Sequence, residues 1–280
     1  MLTKDYSIEI NANAERVWFT LWDDAHYRRW TSVFCEGSYA VTDNWQVGSR
    51  VHFLSPDGSG MYSTVTINKP FENMLFTHIG DVKNFEEQAL TDENREWTGG
   101  KEEYILSESN GVTKLTLRVD VYEKFIDFFE TTFPKALAKV KELAENFYVI
   151  VQTTVNAPAE KVWEKWNNPA DINAWCTATD EWQTINAEND LTVGGKLKSR
   201  MEAKDGSMGF DFEGTYSKIE PNKLIEYTLG DGRKVKVTFE SDGDNTKVTE
   251  EFEPESMNSM ELQRGGWQAI LDNFKKHVEK

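Results

Sequence analysis

A glutamate interrupts the apolar alternation of one predicted strand near the C-terminal end of the chain. In "TKVTEEFEP" the apolar residues Val248 and Phe252 share one face, so Glu250 lies between them on that face. A buried carboxylate needs a partner or acquires a raised pKa. Three interpretations follow: Glu250 pairs inside the protein, lies at the wet mouth of a cavity, or binds a polar group of a ligand. As a base, it would also serve an enzyme.

The other residues that commonly carry catalysis or bind metals are scattered along the chain. The four histidines are His26, His52, His78 and His277. His52 and His78 fall on the alternation phase opposite their apolar neighbours, which predicts that both face solvent. Cys35 and Cys176 are too few for a disulfide framework or a zinc knuckle, so both are predicted to be reduced thiols. Because no Gly-rich phosphate loop or triad motif is visible, the sequence predicts no catalytic residue, no metal and no cofactor.

The charge balance argues against some classes of partner. The chain has 31 Lys and Arg against 48 Asp and Glu, a net charge of -17. Affinity for nucleic acid depends on neutralising phosphates, which an acidic surface disfavours. No window approaches the run of about 18 apolar residues that a membrane span needs, and the N-terminus carries no apolar stretch of signal-peptide length. We therefore expect no nucleic-acid partner, no membrane insertion and a cytoplasmic location.

One segment of the chain occurs twice. Residues 10–30 align without a gap with residues 155–175, and eight of the 21 positions are identical, including Trp18 with Trp163 and Trp30 with Trp175. Later motifs repeat too, such as "QVGSRV" with "TVGGKL" and "GVTKLTL" with "DNTKVTE". Such internal similarity indicates a tandem duplication. The predicted domains are residues 1–146 and 147–280.

The elements that must position these residues follow the same order in each copy. A strand is followed by an amphipathic helix, a second short helix, a meander of short alternating strands and a final helix with an apolar stripe. The stripe must lie across the apolar face of the sheet, which predicts an α+β fold and a ligand cavity between them. In the second copy the predicted lining is Phe212, Tyr227, Val237, Glu250, Trp267, Ile270, Leu271 and Phe274. In the first copy it is Phe53, Tyr104, Leu117, Phe133 and Leu137.

This order of elements resembles that of the START-like superfamily, also called SRPBCC or helix-grip. The segments that carry the resemblance are "NAPAEKVWEKW", "INAW", "YSKIEPNKLIEY" and the closing "GGWQAILDNFKKHVEK". More narrowly, the sequence is similar to the domain found in homologues of the activator of heat-shock protein 90 ATPase. The resemblance implies two tandem helix-grip domains, each a curved antiparallel sheet wrapped around a long C-terminal helix. It also implies an apolar cavity, which in many members holds lipids, hormones or polyketides; a few members catalyse cyclisation, and the activators stimulate a chaperone.

Two differences between the copies, at one aligned residue and in the length of one loop, are expected to affect function. Glu250 aligns with Leu117, and the first copy uses 33 residues between Gly80 and Thr113 where the second uses 16 between Gly230 and Thr246. The insertion, around residues 81–101, is either a solvated loop or a lid over the first cavity. We predict non-enzymatic binding of a small hydrophobic or amphipathic molecule, with the C-terminal copy as the better site. The alternatives are a co-chaperone role with a chaperone as partner, and an enzyme of the cyclase or hydrolase type that uses Glu250 as its base.

Overall fold

The chain divides into two compact units, Met1–Phe147 and Tyr148–Lys280. The computed structural model describes all 280 residues, apart from the side chain of Glu93. Each unit contains one antiparallel sheet, a pair of short helices after its first strand and one long helix at its end.

The first unit begins with strand β1 (Leu2–Ile10) and helices α1 (Ala14–Trp22) and α2 (Asp24–Thr31). The remaining strands are β2 (Tyr39–Val41), β3 (Arg50–Leu54), β4 (Gly60–Lys69), β5 (Asn73–Lys83), β6 (Glu86–Glu87), β7 (Lys101–Ser109) and β8 (Val112–Val121). Helix α3 (Asp92–Arg95) lies between β6 and β7, and a 3-10 turn (Glu123–Phe125) leads into helix α4 (Ile126–Glu145). The sheet order is β1-β8-β7-β5-β4-β3-β2, with β6 paired to β5.

The second unit repeats this plan. Strand β9 (Val149–Val155) is followed by helices α5 (Ala159–Asn167) and α6 (Pro169–Trp175). The meander is β10 (Trp182–Asn189), β11 (Lys196–Ala203), β12 (Gly209–Glu220), β13 (Leu224–Leu229), β14 (Lys234–Asp242) and β15 (Asn245–Phe252), and helix α7 (Met260–Val278) ends the unit. The sheet order is β10-β11-β12-β13-β14-β15-β9, so the first strand of the unit again pairs with its last. The predicted α+β fold of two helix-grip domains is confirmed.

The duplication extends to single hydrogen bonds. The Thr113 hydroxyl donates to the Ala12 carbonyl over 2.7 Å, and in the second unit the Thr246 hydroxyl donates to the Ala157 carbonyl over 2.8 Å. The backbone amide of Asn11 donates to Glu145 at the end of α4, as that of Asn156 does to Glu279 at the end of α7. These bonds hold the turn after the first strand in the same place in each unit.

The long helices bury the stripe that the sequence predicts. In α4, Phe133, Leu137, Val140 and Ala144 belong to one apolar core with sheet residues such as Leu115 and Leu117. In α7, Leu271, Phe274 and Val278 are buried. Within the described part of the chain, no helix is long and apolar enough to cross a membrane.

Candidate functional site

The first unit contains a cavity of about 630 Å³ that is partly open to solvent. It lies among α2, the start of α4 and strands β3, β4, β5, β7 and β8. Fourteen of its 26 lining residues are aromatic: Trp22, Tyr27, Trp30, Phe34, Tyr39, Phe53, Phe76, Trp97, Tyr104, Tyr122, Phe125, Phe128, Phe129 and Phe133. A cavity of this size and lining is typical of sites for small organic molecules.

Helix α2 contributes one aromatic wall. The Asp23 carboxylate accepts the Ala25 amide, which caps the helix where the chain turns from α1. Tyr27 and Trp30 lie three residues apart on its buried face and contact each other edge to face. The Trp30 indole also donates to the Leu21 carbonyl over 3.2 Å, which fixes the ring against α1.

The start of α4 contributes a second wall. Phe125, Phe128, Phe129 and Phe133 all line the cavity. Phe125 and Phe128 are among the exposed apolar residues of the chain, whereas Phe133 is buried. The aromatic lining therefore continues from the interior to the surface, where it forms a mouth.

A polar cluster crosses the floor of the cavity on three neighbouring strands. Ser63 Oγ on β4 and His78 Nδ1 on β5 share a hydrogen bond of 2.8 Å, and His78 Nε2 lies 3.4 Å from Glu102 Oε2 on β7. The Tyr104 hydroxyl donates to the other carboxylate oxygen of Glu102. The side chains of His78, Glu102 and Tyr104 line the cavity, so the cluster offers a ligand both donors and acceptors.

Two phenols of the cavity are held in their neutral form. Burial raises the pKa of Tyr104 well above its usual value, and the charge and hydrogen bond of Glu102 add to the effect. Burial likewise raises the pKa of Tyr27, with the charge of Glu102 as the second cause. Among the described residues, none forms a hydrogen bond with the Tyr27 hydroxyl, although the side chain is only 7% exposed.

The prediction that His78 faces solvent is wrong, since its side chain is buried and lines the cavity. The prediction took Leu75 and Ile79 as the inward phase, whereas Phe76 and His78 are the inward residues of β5. Tyr62 pairs with Gly80 and Ser63 pairs with His78, so Ile79 is an extra residue, a β-bulge. His52 is half-buried, and its Nε2 lies 2.8 Å from Glu87.

Of the five residues predicted to line a cavity in the first unit, some line the observed cavity and the others lie in the core. Phe53, Tyr104 and Phe133 line the cavity. Leu117 and Leu137 are buried in the core outside that lining. The sequence reasoning missed Glu102, although the signal was the one used for Glu250: in "KEEYIL" a glutamate shares the strand phase of the buried residues Tyr104 and Leu106.

In the second unit, three aromatic side chains of α5, α6 and α7 pack on one another. The rings of Trp166, Trp175 and Phe274 have centroids 4.8 to 5.0 Å apart. Of the predicted lining, Tyr227, Val237, Leu271 and Phe274 are buried, and Phe212, Trp267 and Ile270 are half-buried. Trp267 stacks on Phe252 with ring centroids 4.0 Å apart. The 630 Å³ cavity thus lies in the first unit, not in the copy that was expected to be the better site.

Glu250 lies inside the second unit, as its phase predicts, and is 4% exposed. Burial raises its pKa to about 8. Its charge contributes to the raised pKa of Cys176 and of Tyr227, which places both near it. Among the described residues, none forms a hydrogen bond or an ion pair with its carboxylate.

The insertion around residues 81–101 contributes to the cavity wall. Trp97 and Asp81 line the cavity. The Thr98 hydroxyl donates to the Ile79 carbonyl over 2.8 Å, which attaches the end of the insertion to the bulge of β5. That the insertion closes over the cavity as a lid stays a prediction. No group of three or more His, Cys, Asp or Glu side chains that could hold a metal occurs among the described residues.

Part of the chain is similar to known proteins. Residues 156–279 match the family described as "Activator of Hsp90 ATPase homolog 1-like protein". Among solved structures, an AHSA1-like protein from Aeromonas hydrophila is 40% identical, covering 46% of this chain and 92% of its own, with a TM-score of 0.44. A protein from Cytophaga hutchinsonii is 52% identical, covering 47% of this chain and 92% of its own, with a TM-score of 0.43. No curated protein matches.

A two-domain structure also matches along the whole chain. It is the di-domain ARO/CYC protein of the steffimycin biosynthetic pathway, 10% identical, covering 99% of this chain and 98% of its own, with a TM-score of 0.39. At that identity and score it carries no argument about the present chain.

Two units with the same strand order and the same closing helix define a tandem helix-grip protein. The match of residues 156–279 to the family model and the 40% identity to the AHSA1-like protein over 92% of its length identify the family. The chain belongs to the Activator of Hsp90 ATPase homolog 1-like family.

Proposed function

We propose that the first unit binds a small apolar or amphipathic molecule in its aromatic cavity. The observation that carries the proposal is the cavity itself: about 630 Å³, lined mainly by aromatic rings and carrying a few convergent polar groups at its floor. Small-molecule sites commonly combine these features. The opening between the exposed Phe125 and Phe128 would admit the ligand.

The energetics favour a filled cavity. At about 24 cal/mol per Å³, a dry void of this volume would cost on the order of 15 kcal/mol, by extrapolation from smaller voids. That exceeds or equals the usual stability of a whole domain, roughly 5 to 15 kcal/mol. Water must therefore occupy the free cavity, and an apolar ligand that displaces it would gain about 25 cal/mol for each Å² removed from water.

The test is binding of a neutral apolar dye whose fluorescence rises in apolar surroundings. Met61 lines the cavity, so Met61→Trp should reduce the volume and weaken binding by about tenfold or more. Met257→Trp is the matched control, because Met257 is 93% exposed in the second unit. Wild-type protein that binds no dye, and that carries no organic molecule by native mass spectrometry after purification, would contradict the proposal.

A catalytic role for Glu250 is the second candidate, and its pKa of about 8 is the observation that favours it. A carboxyl with a pKa near neutrality is suited to general acid–base chemistry. Glu250→Gln should then abolish turnover while ligand affinity is kept; unchanged turnover would exclude the role. A co-chaperone role is supported by the family description alone, and the absence of any effect on the ATPase rate of heat-shock protein 90 would exclude it. The cytoplasmic location stays a prediction.

A further inference from the structure

The charges that line the first cavity are almost all of one sign. Asp81, Glu102 and Asp120 are in the lining, and His78 is its one basic side chain. None of the lining residues, all of which the structure describes, is Lys or Arg. A site for a fatty acid or another organic anion would need a cationic partner, since an unpaired buried charge is costly.

We propose that the ligand of this cavity is a hydrophobic organic cation, an amine or a quaternary ammonium compound. This inference rests on the proposed function and names its ligand class. Aromatic faces attract cations through the negative potential above the ring, and cages of aromatic side chains recognise quaternary ammonium groups in this way. The cavity combines such rings with carboxylates that would neutralise the bound charge.

A series of ring contacts starts at the partner of Glu102. Tyr104, which donates to Glu102, contacts Trp22 and Trp30 with ring centroids 5.0 and 6.3 Å apart. Trp22 in turn contacts Phe76, at 5.3 Å. A cation placed beside the Glu102 carboxylate would therefore lie within reach of several rings, in surroundings with little water, where charge interactions are strongest.

A second observation points to a ligand group at the same place. The Tyr27 side chain is more than nine-tenths buried, lines the cavity and has a hydroxyl to which none of the described residues forms a hydrogen bond. The hydroxyl oxygen keeps access to the cavity, where water or a ligand can reach it. The N–H of a protonated amine would donate to this oxygen, whereas a quaternary ammonium group would contact it through its N-methyl groups; the influence of Glu102 on the pKa of Tyr27 is consistent with a carboxylate nearby.

The rim of the cavity already attracts cations of the chain itself. The Arg28 guanidinium lies 4.8 Å from the centroid of the Tyr39 ring, and the Lys124 ammonium lies 5.2 Å from that of Phe125. Both rings line the cavity, whereas Arg28 and Lys124 do not. The net charge of -17 would also raise the local concentration of cations and repel anions.

The experiment compares three probes that differ in one group: 4-phenylbutyltrimethylammonium, its neutral isostere with a tert-butyl group, and 5-phenylpentanoate. Each competes with the neutral dye for the full-length protein at low salt. We expect the cation to bind about tenfold more tightly than the neutral isostere and the anion to bind more weakly than both. Added salt should reduce the difference because it screens charges.

Two variants test whether the charge of Glu102 causes the preference for the cation. Glu102→Gln keeps a hydrogen-bonding side chain but removes the charge, and it should reduce the preference for the cation to about threefold or less. Glu142→Gln, on the exposed face of α4, removes the same net charge and should leave the preference unchanged. Equal affinities for cation and isostere, tighter binding of the anion, or equal effects of the two variants would overturn the inference while the dye still binds. If the dye and all three probes fail to bind, the proposed function itself is wrong.

Discussion

The imidazole of His78 and the carboxylate of Glu102 lie 3.4 Å apart on the floor of the cavity. They come from the neighbouring strands β5 and β7, where Phe76 pairs directly with Glu102 and His78 follows Phe76 on the same face. The bulge at Ile79 shifts the alternation by one, so that His78 and Asp81, three residues apart, both line the cavity. Ile79 packs instead against the small cluster of Leu54, Tyr62 and Val82.

The two phenols of the cavity should respond differently to loss of the hydroxyl. Tyr104→Phe removes a hydrogen bond to the Glu102 carboxylate and should lower the free energy of unfolding by about 1.5 to 3 kcal/mol. Tyr27→Phe removes a hydroxyl without a protein partner and should change stability by less than about 0.5 kcal/mol, while it weakens binding of a protonated amine, whose N–H loses its acceptor. Urea unfolding of both variants checks the first effect, and titration with 4-phenylbutyldimethylammonium, which carries one N–H, checks the second. Equal losses of stability in the two variants would contradict the conclusion that the Tyr104 hydroxyl has a hydrogen-bond partner in the protein and the Tyr27 hydroxyl has none.

Cys35 should report whether the cavity is occupied. It is exposed and lines the cavity, whereas burial raises the pKa of the Cys176 thiol to about 12, so Cys176 reacts slowly at pH 8. A disulfide reagent should label one thiol per chain rapidly, and a saturating ligand should slow that reaction several-fold. Cys35→Ser should remove the fast phase and Cys176→Ser should keep it. A rate that no cavity ligand changes would argue against binding there.

Much of the fold could be predicted because each pattern of apolar residues occurs in both copies of the duplicated chain. The aligned residues Val17 and Val162 are both fully buried, and the side chains of Asn13 and Asn168 cap the helices that follow them. Glu250 was placed correctly because two buried apolar neighbours in the same strand fix its phase. Regular periodicity therefore predicted the elements and one buried carboxylate.

The location of the cavity could not be predicted in this way. Whether a space stays open depends on side chains from several elements. Three helices and six strands contribute side chains to the lining of the first cavity. His78 was assigned to the wrong face because Leu75 and Ile79 were taken as the inward residues, whereas the buried Met74 and Phe76 share the phase of His78.

The duplicated threonine bonds offer a matched test of stability. Thr113→Val and Thr246→Val each remove a buried hydrogen bond to the carbonyl of Ala12 or Ala157 with little change of volume. Each substitution should lower the free energy of unfolding by about 1 to 3 kcal/mol, because a buried carbonyl loses its partner. Hydrogen exchange followed by mass spectrometry would measure the loss in peptides of each unit. A loss below about 0.3 kcal/mol in either variant would show that the bond is not equivalent in the two units.

Glu250 should make the stability of the second unit fall as pH rises. Its folded pKa of about 8 lies above the value of 4.5 for the free side chain. Below about pH 4.5 the carboxyl is protonated in both states, and above about pH 8 it is ionised in both, so the dependence is confined to the interval between. Within that interval the unfolded chain has released the proton that the folded chain retains, which costs about 1.4 kcal/mol per pH unit.

Urea unfolding at pH 5.5 and 7.5 would measure this effect. Between these two values the wild type should lose about 3 kcal/mol more than Glu250→Gln, which cannot ionise. Glu251→Gln is the control on the same strand: the Glu251 carboxylate lies 3.8 Å from Lys236 Nζ, and the variant should keep the wild-type dependence. The same slope in wild type and Glu250→Gln would mean that the carboxylate is ionised in the folded protein, stabilised by water or a bound cation. Glu250→Leu, which copies the residue at position 117, should then fail to raise stability at pH 7.5.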